Sequence, residues 1–263
     1  MIEVNKIYNE DCLSTMARMP DNFCDLVLTS PPYDNLRDYK GYSFDFESIA
    51  KELYRVTKVG GVVVWVVGDS TVNGSETLTS FKQALYFKEV CGFNMHDTMI
   101  FEKTNSGICG SILSYVQSFE YMFILSKGKI HKVNLIKDYI SKDANKLKKV
   151  VGRRSDKTGF LKIRRQILCP PNSPRKNVWL IFTVNKENFG HPAVFPEQLA
   201  ADHIYSWSNE GDLVYDCFMG SGTTAKMAHL HKRNWIGSEI SKEYCELAEK
   251  RIKPYLQQTT INF

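Results

Sequence analysis

Asp25-Leu-Val-Leu-Thr-Ser-Pro-Pro-Tyr33 is the stretch on which the reading of this chain turns. Its first half is a continuous apolar run, the pattern of a buried strand. The run stops at Ser30-Pro31-Pro32-Tyr33. Two successive prolines donate no backbone hydrogen bonds and each fixes its own φ. The residue before each is pushed away from helical conformations. A stiff turn therefore sits at the carboxyl end of a core strand, with carbonyls left to accept, a hydroxyl on one side and an aromatic ring on the other. Such a turn suits a planar guest carrying an amino group. The ring stacks on the guest while the carbonyl and hydroxyl hold its NH2. The plainer alternative is a strand-ending loop with a packed tyrosine.

The flanking segments place this turn in a wound α/β sheet. Residues 4–12 read as a short strand ending in polar residues, and Asp11 and Cys12 start a helix. The stretch from Asp34 to Gly41 is a polar and aromatic loop beside the turn. Phe46 to Lys58 has Ile49, Leu53 and Val56 at helical spacing. Gly60-Gly61 closes that connection, and Val62–Val67 is a second buried strand ending in Gly68-Asp69-Ser70. Ligands of open α/β sheets bind outside the carboxyl ends of strands. Asp69 therefore falls on the same edge as Ser30, with a helix or turn cap as its competing role. A helix over 76–91, stopped by Gly92, and strands over 97–103 and 119–126 continue the alternation.

Residues 127–185 break that rhythm. Between Lys127 and Lys176 there are 16 Lys+Arg against 3 Asp+Glu, a net of +13. The whole chain carries only +5. A basic segment on an acidic body points to a polyanion partner, although a solvated face would also be charged. Phe160, Leu161, Ile163, Ile167, Leu168, Trp179 and Phe182 need burial, which makes the segment a folded insert and not a linker. Cys169-Pro-Pro-Asn172 mimics the earlier turn, but no aromatic follows it and its surroundings are basic. The seven cysteines include no CxxC pair, which favours a reducing cytoplasm over a disulfide framework or a metal site. No apolar run is long enough to span a bilayer, and there is no secretory start.

The last third repeats strand, turn and helix. Pro196 opens a helix over 197–207. A strand over 213–217 runs into Asp216-Cys-Phe-Met-Gly-Ser-Gly222, then a helix from Thr223, then a strand ending in Glu239. Glycines let the backbone approach a ligand, and a helix amino terminus favours a carboxylate or phosphate. An acid closing the next strand is placed to accept from two ribose hydroxyls. The turn lacks the third glycine of the dinucleotide pattern, so a nucleoside ligand is favoured over NAD. Ser241 caps the final helix.

Thr29-Ser-Pro-Pro-Tyr33 and Asp216-Cys-Phe-Met-Gly-Ser-Gly222 together resemble the amino-methylating DNA methyltransferases that use S-adenosylmethionine. The catalytic turn comes first and the cofactor turn late, an order similar to the permuted β group. Asp11-Cys12, Phe119-Glu-Tyr121, His191-Pro-Ala-Val-Phe-Pro196 and Ile236-Gly-Ser-Glu239 also match the family's blocks in place. The resemblance implies a Rossmann-like seven-stranded sheet with helices on both faces. It divides the chain into a catalytic part (1–126), a basic target-recognition insert (127–185) and a cofactor-binding part of the same domain (186–263). Ser30, Pro31, Pro32 and Tyr33 would hold the base, with Asp69 as a further contact. Asp11, Cys12, Asp216, Phe218, Gly220, Ser221, Gly222, Thr223 and Glu239 would surround S-adenosylmethionine. In this reading Phe218 packs near the adenine, Glu239 binds ribose, Ser221 and Thr223 lie near the methionine carboxylate, and Asp11 and Cys12 contact the adenine edge. Arg37, Arg153, Arg154, Arg164 and Arg165 are candidate DNA contacts, reading bases or holding phosphates.

The resemblance further implies double-stranded DNA as partner, with a cognate restriction endonuclease as a functional counterpart, and a monomer or homodimer. Ser30 and the His191-Pro run favour cytosine N4 as acceptor over adenine N6. RNA base methylation and a silent DNA-binding subunit are the rival functions.

Overall fold

The computed structural model describes residues 2–32, 44–104, 115–155, 161–182 and 196–256, with 149–155 and 161–165 as backbone. The chain divides into two compact units, Met1–Asn134 with Asn177–Phe263, and Leu135–Lys176. The larger unit begins with β1 (Lys6–Tyr8), α1 (Cys12–Ala17) and β2 (Cys24–Thr29). Next come α2 (Phe46–Val56), β3 (Thr57–Val67), a two-rung hairpin of β4 (Thr71–Val72) and β5 (Ser75–Glu76), α3 (Thr79–Glu89), β6 (Asn94–Lys103) and β7 (Phe119–Ser126). The smaller unit holds β8 (Tyr139–Ile140), β9 (Leu147–Ser155), β10 (Leu161–Leu168) and β11 (Asn172–Ser173). The larger unit is completed by β12 (Val178–Ile181), α4 (Glu197–Trp207), β13 (Leu213–Asp216), α5 (Thr223–Leu230), β14 (Asn234–Ser238) and α6 (Lys242–Leu256).

One sheet organises the larger unit, in the order β1-β14-β13-β2-β3-β7-β6-β12. The pairs from β1 through β3 are parallel, and β7 pairs antiparallel with both β3 and β6. The central strands are buried on both faces, which is why they read as unbroken apolar runs. Side chains alternate across the pleat. Val27, Val63 and Trp65 join a core with Met16 of α1, Leu53 of α2 and Phe87 of α3. Leu26, Leu28 and Val64 join the opposite core with Leu199 of α4, Ala225 of α5 and Ile252 of α6. Each such side chain contributes roughly 1.5–3 kcal/mol on full burial.

The sheet has eight strands among the described residues, not seven. The added strand is β12, which lay inside the stretch expected to be an insert. Trp179 and Ile181 alternate inward while Val178 and Leu180 stay exposed, the signature of an edge strand with one face on the core. The compact insert is correspondingly narrower, 135–176. Gly60 and Gly61 lie inside β3 and do not precede it. A Cβ on Gly61 would sit 2.9 Å from the Asp25 carbonyl, so the close approach of β2 and β3 there requires glycine. α3 starts at Thr79, since Ser75–Glu76 pair in the hairpin.

In the smaller unit β9 and β10 form an antiparallel ribbon, with register shifts between Leu161 and Ile163 and between Ile163 and Arg165. Cys169 closes its base: its amide donates to the Lys146 carbonyl at 3.0 Å, and its carbonyl accepts from the Asn145 amide at 2.8 Å. Cys169-Pro-Pro is thus a structural closure of the ribbon. Among the described residues no helix is long and apolar enough to cross a membrane.

Candidate functional site

The site forms where β2 and β13 lie side by side. They are parallel neighbours, with Val214 opposite Leu26 and Tyr215 opposite Val27. From β2 the chain crosses through α2 to β3 on one side, and from β13 it crosses through α5 to β14 on the other. Connections leaving adjacent strands in opposite directions open a crevice at their carboxyl ends. Ser30-Pro31-Pro32 leaves β2 there, and Cys217 to Gly222 leaves β13. The two segments singled out in sequence therefore share one sheet edge.

One buried hydrogen bond joins them. The Thr29 hydroxyl donates to Asp216 Oδ1 at 2.7 Å. The same oxygen accepts from the Phe218 amide at 3.0 Å. Asp216 is 1% exposed. Burial pushes its carboxyl up to about 6, against the hydrogen bonds that favour the charged form. Phe218 is half-buried and meets Phe44 and Trp65 edge to face, at centroid distances of 5.7 and 6.4 Å. Trp65 belongs to the core, so these contacts brace the Phe218 ring from the inside.

The glycine turn is shaped for close approach. Gly220 and Gly222 have φ of 51° and 80°, the left-handed region. At Gly222 a Cβ would also lie 2.9 Å from the Ala248 Cβ. Glu239, at the end of β14, faces this turn. Its carboxylate accepts from the Gly220 amide at 2.8 Å and from the Ser241 amide at 2.8 Å. The Ile240 amide also reaches this carboxyl, and its two oxygens still keep acceptor capacity for another donor. Burial holds the carboxyl above its ordinary value in spite of these amides. Asn9 fixes the chain just beyond, its side-chain amide donating to the carbonyls of Glu239 and Ile240 at 3.0 Å each.

Several candidates have other work. The Cys12 thiol is packed in the core, and burial pushes it up to about 12, so it presents no side chain to a ligand. Asp11 is exposed and caps α1. Ser221 and Thr223 are buried, and their hydroxyls accept from Arg251 Nη1 at 3.1 and 2.9 Å. Arg251 Nη2 in turn reaches Glu197, which also holds Lys226. This network anchors the glycine turn to α4 and α6. Asp69 lies at the carboxyl end of β3, but its two oxygens accept from the Ser80 amide (2.8 Å) and hydroxyl (2.5 Å). It caps the first turn of α3.

Tyr33, Arg37 and His191 to Val194 lie outside the described residues, as do the side chains of Arg153, Arg154, Arg164 and Arg165. Sequence reading gave Thr29 and Arg251 no role of their own. The hydroxyl at the last position of the apolar run Leu26–Leu28 was the available signal for Thr29. Nothing local marks Arg251, whose partners come from the turn 28 to 30 positions away and from Glu197.

A family model described as DNA methylase matches residues 24–250. The chain is 57% identical over 240 residues to the orphan methyltransferase M.BamHII of Bacillus amyloliquefaciens, covering 88% of this chain and 89% of that protein. It is 28% identical over 263 residues to the Type II methyltransferase M.BglII of Bacillus subtilis, covering 93% and 68%. Among solved structures, the cytosine-N4-specific PvuII DNA methyltransferase superposes with a TM-score of 0.69 at 19% identity, over 95% of this chain and 90% of that one. The M1.HpyAVI–SAM complex superposes with 0.60 at 23% identity, over 94% and 98%. A parallel switch point flanked by a Ser-Pro-Pro turn and a glycine turn, in a sequence this close to its relatives, makes the chain a member of the N6/N4 DNA methylase family.

Proposed function

We propose that this chain moves a methyl group from S-adenosylmethionine to the exocyclic N4 of a cytosine turned out of duplex DNA, within restriction-modification. The observation that carries the proposal is the adjacency of the Ser30-Pro31-Pro32 turn and the glycine turn across one crevice, bridged by Thr29 and Asp216.

The residues of the crevice fit an adenosyl group. Phe218, half-buried and braced edge to face by Phe44 and the core Trp65, offers an aromatic ring, the glycine turn permits backbone approach, and Glu239 keeps acceptor capacity for the ribose. When bound, S-adenosylmethionine supplies a methyl already activated by its sulfonium. The Ser30 hydroxyl and Pro31 carbonyl hold the hydrogens of the acceptor NH2. This draws the nitrogen lone pair out of ring conjugation and aims it at the methyl. Tyr33 stacks on the extruded base. Alignment supplies much of the rate, and no covalent protein nucleophile is needed. Asp69 is a further contact to the base, through the lone pairs that Ser80 leaves on its two oxygens.

Ser30 is the residue that favours cytosine, since members acting on adenine more often carry Asp or Asn there. The basic ribbon β9–β10 contains seven Lys and Arg and no acid. A two-stranded ribbon is an element that a DNA major groove admits. Incubating the chain with methyl-labelled S-adenosylmethionine and either unmethylated duplex DNA or total RNA, then digesting to nucleosides, tests the reading. N4-methylcytosine is the expected product. Recovery of N6-methyladenine alone would overturn the assignment of the base, and label only in RNA would overturn that of the substrate.

A further inference from the structure

We infer that Thr29 is a positioning residue for methyl transfer: its hydroxyl, bound to Asp216, sets the Ser30-Pro31-Pro32 turn in register with the glycine turn. Thr29 is the residue immediately before Ser30 and is fully buried at the end of β2. Its Oγ1 donates to Asp216 Oδ1 at 2.7 Å, and the Cys217 thiol donates to that Oγ1 at 3.5 Å. Asp216 Oδ1 also accepts the Phe218 amide. One carboxylate oxygen therefore fixes the last residue before the acceptor turn and the third residue of the donor turn together. The backbone ladder between β2 and β13 pairs only as far as Val27 and Tyr215. Beyond that rung Thr29 and Asp216 continue the contact between the strands through side chains. In-line transfer depends on tenths of an ångström between donor and acceptor, and a 1 Å misplacement can cost about 100-fold in rate.

The geometry separates this role from binding. Glu239, Phe218 and the glycines that face the cofactor side do not involve the Thr29 hydroxyl, except through the shared oxygen of Asp216. Removing the hydroxyl should therefore loosen alignment more than affinity. The inference rests on the assignment of the two turns to acceptor and cofactor, but not on which base is methylated.

The test compares Thr29→Val with Thr29→Ser and the unaltered chain. Single-turnover methylation of unmethylated bacterial DNA is measured at saturating S-adenosylmethionine, with calorimetric binding of S-adenosylmethionine alone and thermal unfolding in parallel. Thr29→Val is expected to slow transfer about 10- to 100-fold while S-adenosylmethionine affinity changes less than about threefold, roughly half the about 1.4 kcal/mol that a factor of ten represents. Thr29→Ser, which keeps the oxygen, should restore most of the rate. An unimpaired Thr29→Val, a rate loss matched by lost affinity, or a Thr29→Ser as slow as Thr29→Val would each overturn the inference. An unaltered chain that transfers no methyl would instead overturn the assignment of the turns, and this role with it.

Discussion

The two ends of the β2–β13 pair hold buried aspartates in opposite circumstances. At the amino end, Asp25 accepts from Lys132 at 2.8 Å, Lys58 at 2.6 Å and the Leu213 amide at 3.0 Å. Lys132 also reaches Asp212 at 2.5 Å. Burial alone would raise the Asp25 carboxyl, but the lysine hydrogen bonds outweigh it and hold the carboxyl below its ordinary value. At the carboxyl end, Asp216 receives only hydroxyls and an amide among its described partners, and burial carries it up to about 6. The same residue type, on adjacent strands, is neutralised by cations at one end and has no countercharge among the described residues at the other. A closed ion cluster fastens β2, β3, β13 and the segment after β7. The Asp216 carboxylate, with no cation among its described partners, sits between the two turns proposed to hold ligands. The ion cluster is at the amino edge, and the proposed chemistry is at the carboxyl edge.

That contrast can be broken most sharply at Ser30. Ser30→Ala should lower the methylation rate by at least about 100-fold, the scale of losing a placed hydrogen-bonding group in an active site. Its thermal midpoint and S-adenosylmethionine affinity should stay within error of the unaltered chain. A full rate in Ser30→Ala would move the chemistry elsewhere.

Asp25→Ala should do the reverse. It leaves Lys58 and Lys132 facing a buried edge without their shared partner. Breaking a fully buried pair costs about 3–5 kcal/mol, and these lysines are partly solvated, so about 2 kcal/mol is expected. Denaturant unfolding reads this directly, and methylation well below the unfolding temperature should survive.

The two aspartates also predict opposite responses to pH. The folded-state pKa of Asp25 is lowered, so its stabilisation is present above the unfolded carboxylate value and is lost as pH falls below it. For Asp216 the folded value is raised to about 6 from 3.8, so the native state binds the extra proton in that window and stability falls as pH rises through it. Asp216→Asn should remove that fall, a change of about 1–3 kcal/mol across the window, because displacing a titration by one pH unit is worth about 1.4 kcal/mol. Denaturant unfolding at a series of pH values measures it. Unchanged slopes would mean that Asp216 is compensated in a way its described partners do not show.

The smallest effect concerns the ribbon. Arg164→Ala with Arg165→Ala should reduce the slope of log affinity against log salt by up to about 1.8, if each holds one phosphate. A change in the methylated sequence instead would assign them to base readout. No change in either would remove the ribbon from the DNA interface.

Much of this site was legible residue by residue. The strand ending in Ser30-Pro31-Pro32, the Asp216 to Gly222 turn and the acid at Glu239 all follow from local apolar runs, proline restrictions and glycine conformations, and the structure brings them to one edge. Other residues were legible in type but not in role. Cys12 and Asp11 sit beside the right strand, yet one is core and the other a cap. Ser221 and Thr223 belong to the right turn, yet their hydroxyls serve Arg251. Asp69 lies on the right edge, yet it serves Ser80. A hydroxyl or carboxylate in a motif has several competing partners, and burial decides among them. Val178–Ile181 was hidden by the basic composition around it, because an edge strand needs only one apolar face.

Backbone dihedral limits and hydrophobic runs act within a few residues, so seven strands of the large sheet and both turns could be written down from the chain alone. The pairing of β13 with β2, and with it the Thr29–Asp216 bond across 187 positions, could not. No local pattern encodes which strand lies beside which. That choice is made when two apolar faces are buried by three helices each, and only then does a threonine at the end of one strand meet an aspartate at the end of another.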